Sequence, residues 1–186
     1  TEMTTTIGHV DAKRTSIQPE FAALIVRLLR EAGVEKGDVI GLASSGSFPG
    51  LMLASLSAAK AMDLKCRTIL SVGSSSFGAN RPDLTVLDIY QLLLSQKLIE
   101  NIPVAVSLGG EQDSGYGWEP YIIEHLSSKI KISNYPFIRE EKLLESAKSR
   151  AKFIGLQEPN PVKVLINSGG AMANIGTNES ILRLKP

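Results

Sequence analysis

Hydrophobic and polar positions along the chain change repeatedly between helical and strand spacing. Residues 19–33 carry apolar side chains at i, i+3, i+4, i+7 and i+8, which predicts a helix with one buried stripe. The stripe consists of Phe21, Leu24, Ile25, Leu28 and Leu29. Further helices are predicted at 49–62, 85–99, 120–126 and 138–155. The last of them has its apolar stripe on Leu143, Leu144, Ala147, Ala151 and Ile154.

Short apolar runs lie between the predicted helices, and their length is typical of strands covered on both faces. They are residues 39–43, 67–72, 102–108 and 162–167. The segment 129–133, KIKIS, alternates charged and apolar residues and predicts a further edge strand. Strands that alternate with helices indicate βαβ units. We therefore expect one domain, residues 1–186, with a Rossmann-like three-layer α/β fold and a mainly parallel sheet.

Four loops rich in glycine and serine each follow a predicted strand. Their sequences are SSGSFPG at 44–50, GSSSFGANRP at 73–82, GGEQDSGYG at 109–117 and SGGAMANIGTN at 168–178. Because the strands are expected to be parallel, these loops should begin at the same edge of the sheet, which we call the carboxyl edge. Ligands of open α/β sheets bind at this edge, so the sequence places the functional site there.

The composition of these loops favours an anionic ligand. Glycine lets the backbone come close to a ligand, and the amide groups at a helix N-terminus, here those after Pro49, attract negative charge. The chain contains neither GxGxxG nor the P-loop pattern, so no dinucleotide or other cofactor is predicted. The candidate ligand-binding residues are Lys13, Arg14, Ser45, Gly46, Gly73, Ser74, Asn80, Gly109, Gly110, Gly169, Gly170 and Asn174, with Asn178 as a further amide.

Ser47 allows two interpretations. Its place before Pro49 favours a helix N-cap, in which its hydroxyl accepts a hydrogen bond from the first turn. The alternative is a catalytic nucleophile, although its surroundings do not fit GxSxG. A base would have to be brought to it by the fold, and His9, His125 and Lys13 are the residues available.

Two pairs of residues carry further predictions. Thr85 and Asp88 match a capping box, which favours a structural role for Asp88. Glu111 and Asp113 lie in a glycine-rich loop, where no predicted helix terminus explains their negative charge. They are either solubilising side chains or carboxylates that assist catalysis.

The charge and the cysteine content exclude several classes of function. With 20 basic and 19 acidic residues the net charge is +1, so the chain lacks the positive field that binds nucleic acid. A single cysteine, Cys66, and two histidines without ligand spacing give no metal site. No apolar run reaches the roughly 20 residues of a membrane helix, so a soluble chain is expected. The chain starts at Thr1 and not at a methionine, so the sequence is compatible with a leader, an anchor or a domain upstream.

Five segments, taken together, resemble the poly-gamma-glutamate system protein family. They are TTTIGHVDAKRTSIQPEFAALIVRLLREAGVEKGD, SGSFPG, SVGSSSFGANRPDLTVLDI, SLGGEQDSGYG and NSGGAMANIGT. The resemblance implies a role in making, exporting or processing poly-gamma-glutamate at the bacterial envelope. It also implies an extracytoplasmic domain whose membrane anchor lies in an N-terminal segment outside this chain. The implied partners are the polymer, an anionic precursor and other proteins of the system.

Four functions follow from these observations. The first is an accessory protein that binds poly-gamma-glutamate or a precursor at the carboxyl edge, with no nucleic acid involved. The second is an amide-bond hydrolase or transferase with Ser47 or Ser45 as nucleophile and Glu111 or Asp113 assisting. The third is a sugar-phosphate site, because residues 44–72 are similar to one βαβ unit of sugar isomerase domains. The fourth is a scaffold in which the glycine loops are only tight turns.

Overall fold

The computed structural model describes residues 2–176 of the 186. Five parallel strands form a sheet in the order β6-β5-β2-β1-β7, and β3 and β4 form a small antiparallel hairpin. The strands are β1 Val39–Ser45, β2 Lys65–Ser71, β3 Asn80–Arg81, β4 Leu84–Thr85, β5 Pro103–Ser107, β6 Phe137–Ile138 and β7 Val164–Ser168. The helices are α1 Val10–Ser16, α2 Glu20–Glu31, α3 Pro49–Ala61, α4 Val86–Ser95, α5 Pro120–Ile132, α6 Leu143–Ile154 and α7 Met172–Ile175.

Helices cover the sheet on both faces, which confirms the predicted three-layer α/β fold. On one face the strands pack against α3, α4 and α5 through a core that includes Ile40, Leu42, Leu70, Val106, Met52, Leu56, Leu87, Tyr90 and Leu126. On the other face Ile69 and Ala105 pack against Ile154 of α6. Because successive strand residues point to opposite faces, Leu70 belongs to the first core and Ile69 to the second.

The predicted edge strand at 129–133 is wrong. These residues end α5, because Ile130 follows Leu126 at helical spacing and both side chains are buried in the core. Alternation over five residues fits either period, and here the packing of one helical face decides. The edge strand is instead β6, which pairs with β5 through Phe137 and Ile138.

The apolar stripes predicted for α2 and α6 match burial only in part. In α2, Leu29 is buried but Leu28 is 50% exposed, since this helix packs on the outside of α3. In α6, the face against the sheet carries Ser146 and Arg150 as well as Ile154. The buried face of α6 therefore contains polar side chains, whereas the sequence pattern predicts apolar ones.

The sheet has one topological switch point. The chain runs from β1 through β2 and β5 to β6 on one side, and then returns to place β7 on the other side of β1. The strand order therefore reverses between β1 and β7, and the carboxyl ends of these two strands are where a ligand crevice is expected. No helix within residues 2–176 is both long enough and apolar enough to cross a bilayer.

The capping box at the start of α4 is confirmed. The Asp88 carboxylate accepts hydrogen bonds from the Thr85 amide at 2.6 Å and from the Thr85 hydroxyl at 2.7 Å. It also pairs with Lys129 of α5 at 2.7 Å. Burial raises the pKa of Asp88, but the hydrogen bonds from Lys129 and Thr85 outweigh burial, so the pKa is lowered overall.

We expect Asp88→Asn to reduce the free energy of unfolding by about 1 kcal/mol at neutral pH, as lost caps do. A carboxyl whose pKa is lowered in the folded state stabilises the protein above its unfolded pKa, near 3.8, and loses this contribution as the pH falls through the folded pKa. Urea denaturation at neutral and acid pH should therefore show the difference from wild type shrinking in acid. Asp83→Asn, at an exposed side chain paired with Arg81, should change the stability little. A difference that persists at the lowest pH would contradict this role of Asp88.

Candidate functional site

A cavity of about 450 Å³ lies at the carboxyl edge, and all four glycine and serine loops contribute to it. The loop after β1 supplies Ser45, Ser47 and Phe48, and that after β2 supplies Gly73 and Ser75, with Ser71 at the strand end. The loops after β5 and β7 supply Gly110, Glu111, Gly170, Ala171 and Met172. The remaining wall is formed by residues 5–9 with Ala12 and Lys13. The cavity therefore opens at the switch point of the sheet, where ligands are expected.

Lys13 brings a positive charge into this cavity from α1. Its side chain is buried, and its Nζ donates hydrogen bonds to the carbonyl oxygen of Ser47 and, at 2.8 Å, to the Ser75 hydroxyl. The Nζ also lies 3.6 Å from the centre of the Phe48 ring, a cation–π contact.

Among residues 2–176, no carboxylate lies within ion-pair distance of this ammonium. Burial lowers the pKa of Lys13, because removal from water disfavours the charged form. Buried charges in proteins are ordinarily paired. The described part of the chain thus leaves a buried cation at a cavity without a protein counter-ion.

Two serines that line the cavity with Lys13 have hydroxyl protons that no hydrogen bond of the described chain uses. The Ser47 hydroxyl accepts a hydrogen bond from the Ser75 amide at 3.0 Å, and the Ser45 hydroxyl accepts one from the Ser47 amide at 3.3 Å. No hydrogen bond within the described chain uses the proton of either hydroxyl as donor. Both protons are therefore available to a ligand in the cavity.

The interpretation of Ser47 as the cap of α3 is wrong. Phe48 occupies the N-cap position, and no side chain caps this helix. The Ser47 hydroxyl instead links the loop after β1 to the loop after β2. The amides after Pro49 do not line the cavity either, because Gly50 lies against the end of α1, where an added Cβ would be 2.6 Å from the Ser16 carbonyl oxygen.

The segment 4–9 forms a wall that the sequence analysis did not foresee. The Thr5 amide donates to the Ser74 carbonyl at 2.8 Å, and the Ser76 amide donates to the Thr6 carbonyl at 2.9 Å. Asn80, a candidate ligand-binding residue, donates to the Thr4 hydroxyl at 3.0 Å and so holds this segment. These contacts join positions about 70 apart in sequence, and no local pattern marks them.

Several of the candidate glycines hold the loops together rather than face the cavity. The Gly46 amide donates to the carbonyl oxygens of Ser71 and Gly73, both at 3.0 Å. A Cβ on Gly46 would lie 2.9 Å from that of Ser74, so only glycine lets these two loops approach so closely. Neither Gly46 nor Ser74 lines the cavity, and the same is true of Gly109 and Gly169.

Asp113 belongs to a buried ion pair and not to the cavity wall. Its carboxylate lies 2.7 Å from Nη2 of Arg150, and the two side chains are only 2% and 5% exposed. The Ser107 hydroxyl donates to one carboxylate oxygen at 2.8 Å and the Ser146 hydroxyl donates to the other. With these partners occupied, Asp113 is not placed to assist a reaction in the cavity.

Arg150 connects this ion pair to the floor of the cavity. Its Nη2 donates to the hydroxyl of Ser71 at 2.7 Å, and Ser71 lines the cavity. Its Nη1 donates at 2.9 Å to Asn174, a candidate ligand-binding residue that lies outside the cavity. Sequence reasoning missed Arg150, and its only sequence signal is the spacing of four residues that it shares with Ser146 and Ile154 on α6.

Two other charged candidates have contrasting positions. The side chain of Arg14 is 75% exposed, lies 3.7 Å from Asp11 and does not line the cavity. Glu111 lines the cavity as an exposed side chain opposite in charge to Lys13. Asn178 lies outside the described residues.

The structure thus brings together about half of the candidate residues. Those that line the cavity are Lys13, Ser45, Ser47, Gly73, Gly110, Glu111 and Gly170.

Within residues 2–176 there is no cluster of three or more His, Cys, Asp or Glu side chains suited to a metal ion. Comparisons with protein-family models, with curated proteins and with solved structures find no match to this chain.

Proposed function

We propose that this protein binds a carboxylate-bearing ligand in the cavity at the carboxyl edge, as an accessory component of a poly-gamma-glutamate system. The observation that carries the proposal is the buried ammonium of Lys13, which has no carboxylate partner among residues 2–176. A ligand carboxylate would supply the missing counter-ion, and a charge-assisted hydrogen bond of this kind is about twice as strong as a neutral one.

The other groups around Lys13 support the same ligand class. The hydroxyl protons of Ser45 and Ser47 are free to donate to carboxylate oxygens. Gly110 and Gly170 also line the cavity, and their amides donate no hydrogen bond within the described chain. Among the lining residues of the described chain, Lys13 is the one Lys or Arg, so the cavity suits one carboxylate at a time, and Glu111 disfavours further negative charge at the wall.

The identity of the polymer rests on the resemblance to the poly-gamma-glutamate system family. Poly-gamma-glutamate carries one free carboxylate on every unit, so it presents the partner that Lys13 does not have among residues 2–176. A volume of about 450 Å³ accommodates a short stretch of such a chain or a small precursor. Attachment to the outer face of a membrane through an upstream segment, and contact with other proteins of the system, are part of this proposal.

A thermal-shift assay tests the ligand class. We expect gamma-linked glutamate oligomers to raise the melting temperature, since a ligand present at 100 times its Kd stabilises the folded state by about 2.7 kcal/mol. Uncharged gamma-glutamyl amides of the same length should have no effect. A shift produced by sugar phosphates and not by the oligomers would favour the sugar-phosphate hypothesis, and would contradict the proposal.

A further inference from the structure

We infer that Ser75 and Lys13 form a nucleophile and general-base pair that cleaves or transfers an amide acyl group bound in the cavity. The inference rests on the proposed function, because it uses the same cavity. It assigns the reaction to Ser75, whereas the sequence alone suggests Ser45 or Ser47 as the nucleophile.

The geometry singles out Ser75 among the serines of the cavity. Its hydroxyl oxygen is 2.8 Å from Nζ of Lys13, which is the distance that a nucleophile and its base require. Both side chains are more than nine-tenths buried and both line the cavity. No hydrogen bond within the described chain joins the hydroxyl of Ser47 or of Ser45 to a basic side chain.

The surroundings of Ser75 hold it in place. Its amide donates to the Ser47 hydroxyl at 3.0 Å, which fixes the backbone at the nucleophile. A second contact of Lys13, to the Ser47 carbonyl, holds the amine from another direction. When Lys13 loses a proton, its amine keeps two N–H groups. One of them still donates to the Ser47 carbonyl, and the lone pair faces the Ser75 hydroxyl. The pair is therefore oriented before a ligand arrives, which lowers the entropy cost of the reaction.

Burial makes Lys13 easier to deprotonate than an exposed lysine. The Phe48 ring favours the ammonium, but burial lowers the pKa of Lys13, and no carboxylate among residues 2–176 lies within ion-pair distance to oppose this. A lowered pKa enlarges the fraction of neutral lysine at a given pH, and the neutral amine is the form that accepts the proton of the serine. The free hydroxyl protons of Ser45 and Ser47 provide donors for the negative charge that develops on the carbonyl oxygen.

Besides the bound amide, the reaction needs only water or an acceptor amine. Neutral Lys13 takes the proton of the Ser75 hydroxyl while the oxygen forms a bond to the amide carbonyl carbon. The carbon–nitrogen bond then breaks, and the leaving amine receives the proton from Lys13. Water, or an acceptor amine in a transferase, attacks the resulting ester, and its proton returns through Lys13 to the Ser75 oxygen. The net change is hydrolysis of one amide bond or its exchange for another.

A fluorophosphonate probe tests the pair on the unaltered protein. Its phosphorus forms a bond to an activated serine oxygen and releases fluoride. We expect mass spectrometry to find one label per chain, located on Ser75, and a labelling rate that rises with pH as Lys13 loses its proton. Absence of a label on Ser75 overturns the inference, and because no variant is needed, the result does not depend on whether one folds.

Substitution of the base tests its part in activating the serine. Lys13→Arg keeps the positive charge but supplies no lone pair near neutral pH, so labelling of Ser75 should fall at least 100-fold. Ser57→Ala, at an exposed serine of α3, is the matched control for labelling and should behave as wild type. Labelling that is unchanged in Lys13→Arg overturns the pair.

The two proposals fail in different ways. Oligomer binding to wild type without a label on Ser75 removes the catalytic pair and leaves the binding function. Labelling of Ser75 that depends on Lys13, together with no oligomer binding, keeps the catalytic pair and removes the proposed ligand. Release of nitroaniline from gamma-glutamyl p-nitroanilide, lost in Ser75→Ala, would support the amide as the bond that is broken.

Discussion

Arg150→Met is expected to lower the free energy of unfolding by about 3–5 kcal/mol, which is the usual cost of removing one partner of a buried ion pair. The substitution leaves the Asp113 carboxylate 2% exposed and without its cation. It also removes hydrogen bonds to Ser71 and Ser107, on two neighbouring strands of the sheet. The effect is large because a buried charge without a partner is far more costly than a missing surface contact.

Urea denaturation followed by circular dichroism measures this change. Lys148→Met is the matched control on the same helix, since the exposed pair of Lys148 with Glu145 should contribute less than about 1 kcal/mol. The double variant Asp113→Asn with Arg150→Met should recover part of the loss, because it removes both charges. A loss for Arg150→Met no larger than that of the control would show that the ion pair does not stabilise the carboxyl edge.

Local sequence patterns predicted most of the architecture, but not α1, β6 or the β3–β4 hairpin. Apolar runs of strand length located β1, β2, β5 and β7, and helical spacing located the helices between them. The parallel arrangement followed from this alternation, and with it the common edge at which the four loops begin. Segment 129–133 failed because five alternating residues fit both a strand and the buried face of α5.

The site was predictable only where a residue's role follows from its own loop. Lys13 was named as a cation near the site, but its burial beside Ser47 and Ser75 depends on how α1 packs over two distant loops. Ser75 had no distinguishing neighbour in sequence and was missed. Asp113 was named for its loop, whereas its partner Arg150 lies 37 residues away on α6. Contacts of this length are set by tertiary packing, which periodicity does not report.

Lys13→Met should weaken binding of gamma-linked glutamate oligomers by about 10- to 100-fold, since a hydrogen bond to a charged group contributes roughly 1.5–3 kcal/mol. The methionine keeps an apolar stem of similar length against Phe48, so the cavity wall should persist. Affinity of the wild type should also fall as the pH rises through the lowered pKa of Lys13, because the ammonium is lost. The variant should lack this pH dependence.

Isothermal titration calorimetry of wild type, Lys13→Met and Arg14→Met with one glutamate oligomer tests the central claim most directly. Both variants remove one positive charge from α1, but only Lys13 lies in the cavity, while Arg14 is 75% exposed. The account predicts a loss of at least 10-fold in Lys13→Met and less than about 2-fold in Arg14→Met. Equal losses in the two variants, or no binding by the wild type, would contradict a carboxylate site at the carboxyl edge.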